Sequence, residues 1–392
     1  MHDLIVIGGG PAGASAAQKA ASAGLHVLVL EKTFFPRHKP CGGALSERAI
    51  SYIDPGIPAS IIENEIYGAR ITYKGNTVEV FREDRIALLI SRDKFDHYLL
   101  ECAKAAGADV RFEKVIDFIE QDDFVSVLAK QGNEYRAKYV IVAEGAQGKL
   151  KYKIKARDGK DPCGLGLVTT MALENPGGTR VAQNLMEFQF GFMPTGYGWI
   201  FPHKVECSAG IYGVASQMKK AKQTFQELFA HMNPQAASLK GHIVPLGWPK
   251  KKLAGKRTLL CGDAGGFVDS FSGEGISYAI RSGQLAAEKI ITCVGEPGGK
   301  YLATYEKACR DEFDDNLKYA YIFLKYVSQY PDLFFPIFTR EKKYISLYLD
   351  ISAMKITYKQ LFIHLLPRCF PYLPGLALNN IRSKVFRNKP AK

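Results

Sequence analysis

The chain has 392 residues, 47% hydrophobic and 23% charged, with a formal net charge of +13. That composition belongs to a folded globular protein with room for two or three domains, and it excludes a disordered or low-complexity chain. Eight cysteines are scattered without CxxC or other metal-ligand spacing, so no metal site is expected and reduced thiols in a cytosol are.

The first element starts at once, which leaves no targeting peptide ahead of the fold as an expectation. "DLIVIGGGPAGASAAQKAASAGLHVLVLEK" reads as strand, glycine turn, alanine-rich helix from about Pro11 to Ala23, and a second strand, His26 to Leu30, ending at Glu31. Gly8, Gly10 and Gly13 stand in GxGxxG spacing. Gly8 permits the tight turn, Gly10 lets backbone approach a pyrophosphate beside Ala12, and Gly13 lets the helix pack closely on the strand. The helix N-terminus offers free N–H groups and a positive dipole end to phosphates. Glu31, 18 residues beyond Gly13, is placed to accept hydrogen bonds from ribose hydroxyls. Strand, helix, second strand and terminal acid together point to a dinucleotide.

Next comes the loop "FFPRHKPCGG", in which prolines stiffen the chain and glycines allow close backbone approach. It is expected to run past the cofactor, with Cys41 and Gly42 facing it and Ala44 just beyond. For Cys41 two roles stay open: a redox or proton-relay thiol, hence a candidate catalytic residue, or a small side chain that shapes the site. "SRDKFDHYLLECAKAAGADVRF" (91–112) reads as a helix begun near Arg92, followed by a strand, "VRFEKVIDF", that holds Val115. "LMEFQFGFMPTGYGWIFPHKVECSAGIYGV" (185–214) reads as antiparallel strands, and Tyr197, Trp199 and Phe201 fall on one face at i, i+2, i+4 spacing. Three aromatic rings on one face make either sheet core or the wall of an apolar substrate cavity. In "RTLLCGDAGGFVDSFSGEGISYAIRSGQLAAEKI" (257–290) a strand ends at Gly262-Asp263, and Gly273-Glu274-Gly275 opens a helix at Ile276. A strand-terminal Asp suits ribityl hydroxyls, and a helix N-terminus near a flavin pyrimidine stabilises the reduced ring's charge. This second element selects FAD over NAD as the bound dinucleotide.

From Ile351 to Lys392 there are eight Lys/Arg and no Asp or Glu, and the apolar run there is broken by Pro367, Pro371 and Pro374. No stretch approaches the roughly 20 unbroken apolar residues of a spanning helix. Basic plus apolar suggests an anionic ligand, or a cytoplasmic protein peripherally associated with the inner face of the membrane; a solvated basic face is the plain alternative. No nucleic-acid module accompanies the charge, so nucleic acid is not an expected partner.

The pairing of "GGGPAG" with "GDAGGFVDSFSGEGI" resembles the p-hydroxybenzoate hydroxylase superfamily of flavoproteins. In that superfamily the Arg matched by Arg92 begins a helix leading to an adenine-contacting strand. "YVIVAEGAQGKL" resembles its "ADG" segment, with Glu144 in place of the Asp. Within the superfamily, "PTGYGWIFP" is similar to the PxxYxWxFP motif of the FAD-dependent geranylgeranyl reductase family, and "PRHKPCGG" to that family's loop before its FAD-contacting glycines. Ser270 stands where the family usually has Pro. A flavin-dependent halogenase would carry WxWxIP instead.

The resemblance implies an α/β fold: a Rossmann-like FAD-binding domain, an interleaved antiparallel-sheet substrate domain and a C-terminal helical region. The expected division is 1–50, 85–150 and 255–290 for FAD, 51–84 and 151–254 for substrate, and 291–392 for the helical, membrane-facing part. It implies a reductase that saturates isoprenoid C=C bonds of a polyprenyl lipid, a quinone side chain or a prenyl diphosphate, with Gly8, Gly10, Ala12, Gly13, Glu31, Cys41, Gly42, Ala44, Arg92, Val115, Asp263, Gly275 and Ile276 around the cofactor. No second GxGxxG follows a strand, so electrons are expected from NAD(P)H bound transiently or from a donor protein such as ferredoxin. The competing expectations are an FAD-dependent aromatic monooxygenase and an electron-transfer flavoprotein delivering electrons to quinone.

Overall fold

The computed structural model describes residues 1–155, 162–174, 180–232, 239–248, 252–295 and 302–369. The all-apolar runs of the N-terminal segment form the buried centre of a seven-stranded sheet. His2–Ile7 pairs in parallel with Val27–Leu30 on one side and with Glu134–Val142 on the other. The helix Pro11–Ser22 joins the first two and stops at Ala23, where Gly24 takes a positive φ of 84°. Thr258–Leu260 adds in parallel to Glu134–Val142. Backbone from both halves of the chain thereby reaches one sheet edge-on.

The expected strand "VRFEKVIDF" is two strands. Asp109–Arg111 closes one edge of the sheet beside Val27–Leu30, while Val115–Glu120 lies at the opposite edge, antiparallel to Val125–Ala129. The chain crosses between them at Phe112–Lys114, because each strand needs a separate partner to satisfy its backbone groups.

A second seven-stranded sheet stacks Lys240–Pro245, Cys163–Ala172, Glu206–Val214, Tyr197–Pro202, Leu185–Phe190, Gly68–Tyr73 and Asn76–Phe81 in that order. Its pairings are antiparallel except that between Leu185–Phe190 and Gly68–Tyr73. A short sheet of Ala44–Ser46, Ala87–Ile90 and Ile62–Ile66 lies between the larger two in sequence. The C-terminal helices Ala303–Gln329, Pro331–Arg340, Lys342–Ser352 and Tyr358–Cys369 share one apolar core with the second sheet. In it Phe335 stacks on Tyr73 with ring centroids 4.6 Å apart, and Phe323, fully buried, meets Phe271 edge-on at 4.7 Å. Burying rings of this size stabilises the fold by about 1.5–3 kcal/mol each.

The fold class is as expected: a mixed α/β molecule with a helical C-terminal region. Among the described residues no helix is long and apolar enough to cross a membrane. The basic, proline-broken segment from 370 onward, part of the basis of the membrane expectation, lies outside the described residues.

Gly13 is held by steric necessity. A Cβ there would lie 1.8 Å from the carbonyl oxygen of Gly8, so any side chain pushes the helix off its strand. Gly13→Ala should cost about 3 kcal/mol and lower the denaturant midpoint accordingly. Gly166→Ala, whose Cβ would find nothing nearer than 3.9 Å, should stay within roughly 0.5 kcal/mol.

Candidate active site

The two large sheets and the C-terminal helices line one open cavity of about 1040 Å3. Its first part is a polar cradle. Helix Pro11–Ser22 opens onto it at Gly10 with no side-chain cap and no acidic residue in its first turn, so its leading N–H groups are available to an anion. Gly8 needs its positive φ of 104°, and a Cβ there would meet Ala143 O at 2.5 Å. Glu31 is buried and oriented by two backbone donors: its Oε2 accepts from Gly9 N at 2.7 Å and its Oε1 from Thr33 N at 3.0 Å. Both oxygens retain lone pairs for hydroxyl donors.

The loop 37–44 lines the same cavity and is fastened by ion pairs. Arg92, the first residue of helix Arg92–Ala105, grips the fully buried Asp96 through Nε (2.8 Å) and one Nη (2.9 Å), and Arg37 approaches the same carboxylate at 3.2 Å. The Cys41 thiol lies near the Arg92 guanidinium, and Gly43 N donates to Cys41 Sγ at 3.4 Å. Lys39 and His242 both approach Asp263, at 3.9 and 3.7 Å. Burial lowers the Lys39 ammonium below its ordinary value, with Asp263 pulling the other way. For Asp263 burial opposes ionisation, but the neighbouring His242 imidazole and the Lys39 charge outweigh it and hold the carboxyl below its usual range.

The second part of the cavity is apolar. Tyr197, Trp199 and Phe201 form a continuous face, with successive ring centroids 6.1 Å apart, and Phe188 lies edge-on to Tyr197 and Phe201 at 5.7 and 5.5 Å. The hydroxyl of Tyr197 is held by the Ser272 carbonyl, and burial pushes its pKa upward, so the phenol stays neutral. Gly42 rests on this wall: a Cβ there would lie 2.9 Å from the Phe201 ring and 3.1 Å from Trp199 Nε1. Phe323, Phe335 and Phe338 from the C-terminal helices line the same cavity.

Gly8, Gly10, Ala12, Glu31, Cys41, Gly42, Ala44, Arg92, Val115, Asp263, Gly275 and Ile276 all line this single cavity, as do Tyr197, Trp199 and Phe201. Gly13 lies behind the cradle, where it sets the helix position. Glu144, in the place of the expected Asp, accepts from Lys149 N (3.1 Å) and Lys151 N (2.8 Å), capping the short turn Leu150–Lys153. Sequence reasoning missed Asp96 and His242, which carry no local motif. It also missed Phe188 and Phe190, although "EFQF" shows the same period of two as the stripe that was read. Among the described residues no cluster of His, Cys, Asp or Glu could hold a metal ion.

The FAD binding domain family matches residues 1–318. The geranylgeranyl diphosphate reductase of Rhodobacter capsulatus is 30% identical over 375 residues, 91% of this chain and 90% of that protein. The chain belongs to the FAD-dependent geranylgeranyl reductase family. The menaquinone reductase of Mycobacterium tuberculosis (strain CDC 1551 / Oshkosh), 28% identical over 310 residues, covers 73% of this family member and is itself covered to 76%. A solved geranylgeranyl bacteriochlorophyll reductase-like protein from Thermoplasma acidophilum superposes with a TM-score of 0.76 at 25% identity, over 83% of this chain and 87% of that one. A flavin-dependent brominase reaches a TM-score of 0.71 at 19% identity, over 90% of this chain and 93% of its own, a likeness of fold alone. The cradle fits the FAD that defines the family: an uncapped helix end, side-chain-free backbone at Gly8 and Gly10, and an oriented carboxylate at Glu31.

Glu31→Gln keeps one acceptor oxygen and loses the other. FAD affinity should fall about tenfold, which corresponds to about 1.4 kcal/mol, in a fluorescence titration of cofactor-stripped protein; the circular dichroism spectrum should not change.

Proposed function

We propose that this FAD-dependent oxidoreductase saturates isoprenoid C=C bonds of a polyprenyl lipid, a quinone side chain or a prenyl diphosphate. The observation that carries the proposal is the continuity of the cofactor cradle with an aromatic, apolar chamber in one cavity of about 1040 Å3. The relatives' names point the same way: a geranylgeranyl diphosphate in one case and a menaquinone in another.

Bound FAD in its reduced form supplies the hydride equivalent. The remaining requirements fall on the chain. An isolated trisubstituted alkene is a poor hydride acceptor, so a proton must be added as positive charge develops on carbon. The faces of Tyr197, Trp199 and Phe201 stabilise such a charge. Their packing against Gly42 brings the apolar wall to the loop that borders the cofactor, and an apolar lining disfavours water that would trap the cation. Among the proposed cofactor contacts, Glu31 holds ribose, the N-terminus of helix Pro11–Ser22 the phosphates, Asp263 the ribityl chain, and Gly275-Ile276 the flavin pyrimidine edge. Cys41 lines the same cavity and accepts from Gly43 N, which keeps the thiol a candidate participant. Electrons reach the flavin from NAD(P)H or a donor protein.

Anaerobic protein reduced with dithionite and mixed with geranylgeranyl diphosphate should yield products heavier by two hydrogens per saturated bond in mass spectrometry. No mass gain with any polyprenyl substrate, together with oxygen-coupled NADPH oxidation on a phenol, would replace this reading with a monooxygenase. Cys41→Ser with unchanged product formation would leave that thiol a packing role only.

A further inference from the structure

The stripe of Tyr197, Trp199 and Phe201 has a fourth member at the same spacing of two, His203, just past the end of strand Tyr197–Pro202. The three rings line the cavity; His203 stands outside it, half-buried, and meets the loop 37–44. Its Nε2 lies 3.2 Å from the Gly42 carbonyl oxygen. A carbonyl can only accept, so the imidazole is the donor and carries a proton on Nε2. The same peptide unit donates at its other edge, where Gly43 N–H reaches Cys41 Sγ at 3.4 Å. The Gly42–Gly43 bond is trans, so its C=O and N–H point in opposite directions. His203 therefore grips one edge of a rigid plane whose opposite edge faces the sulfur of a cavity-lining side chain.

The packing around this plane leaves room for no other residue pair. Gly43 has a φ of 82°, and a Cβ there would lie 2.4 Å from Ile90 O and 2.9 Å from His203 Cε1. Ile90 N donates to Gly43 O at 2.9 Å, which ties the next peptide to strand Ala87–Ile90. Gly42 rests on Trp199 and Phe201. One strand thus meets the loop through three successive side chains of one face: two rings set its height and one imidazole sets its rotation.

Resting on the reductase reading, we propose that His203 is a positioning residue for the reduction, holding the Gly42–Gly43 peptide so that its N–H orients the Cys41 side chain in the cavity. A flip of the plane would bring the Gly42 carbonyl to the sulfur and replace a donor with an acceptor there. The hydrogen bond from His203 opposes that flip. It also polarises the peptide, which makes the N–H of the same unit a better donor. In this role His203 neither gives nor takes a proton; it acts on the site only through the loop.

The first test needs no cofactor and follows hydrogen exchange of the Gly43 amide in stripped protein. His203→Phe keeps a ring and loses the donor, so exchange should be about tenfold faster than in wild type, the weight of one hydrogen bond. His203→Gln, whose side-chain amide can donate in place of Nε2, should restore the slow rate. The second test uses reduced holoenzyme with geranylgeranyl diphosphate in single turnover. His203→Phe should slow reduction about tenfold with FAD and substrate affinities unchanged, and His203→Gln should recover the rate. In a Cys41→Ala background His203→Phe should slow the reaction no further, because the interaction it acts through is already gone. Equal slowing in both backgrounds, unchanged Gly43 exchange, or a Cys41→Ala protein as fast as wild type would each overturn the proposal and leave the reductase reading standing. If wild type reduces no polyprenyl substrate, that reading fails and the positioning role in reduction fails with it.

Discussion

The close approach of two helices at Ala12 is the constraint on which the site depends. A Cβ on Gly283 of helix Ile276–Gly295 would lie 2.1 Å from the Ala12 carbonyl oxygen, and one on Gly262 would lie 2.9 Å from the Ala12 Cβ. Only glycine allows helix Pro11–Ser22 to sit against its own strand and against this later helix at once. The chain ends of both helices, at Gly10 and Gly275, then open on one cavity. Two positive dipole ends so placed suit a long anionic cofactor better than either could alone.

A second contact joins that cradle to the apolar chamber. Gly42 leans on Trp199 and Phe201 with no room for a side chain, and the loop that carries it is tied down by Arg37 to Asp96 and Lys39 to Asp263. The charges of the loop therefore do more than meet solvent or phosphate. They fix the backbone against the aromatic wall, so the polar and apolar halves of the cavity keep a constant separation.

The βαβ unit was legible in the sequence because all its determinants are local: an apolar run, three glycines, a helix stop and a terminal acid within about thirty residues. The aromatic stripe was legible for the same reason, since a period of two needs no knowledge of the partner strand. "VRFEKVIDF" was misread because its two halves pair at opposite edges of the sheet, and pairing partners leave no trace in nine residues. Asp96 and His242 were passed over because what distinguishes them is the charged groups they meet from segments far away in the chain.

The cavity is assembled from opposite ends of the polypeptide. Its cofactor cradle draws on the first 150 residues and the segment 261–279, while Phe323, Phe335, Phe338 and Tyr348 of its apolar lining belong to the last four helices. Helix Ala303–Gln329 is tied into the cofactor domain, where Tyr305 hydrogen-bonds the Leu260 and Ser282 carbonyls, but Phe335 and Phe338 stand on Pro331–Arg340, which packs on the second sheet and on its neighbouring helices. Depth and redox chemistry are in this way separable properties. A smaller side chain at Phe335 or Phe338 enlarges the chamber at positions remote in sequence from the nucleotide fingerprint, so one cofactor head is compatible with guests of different size.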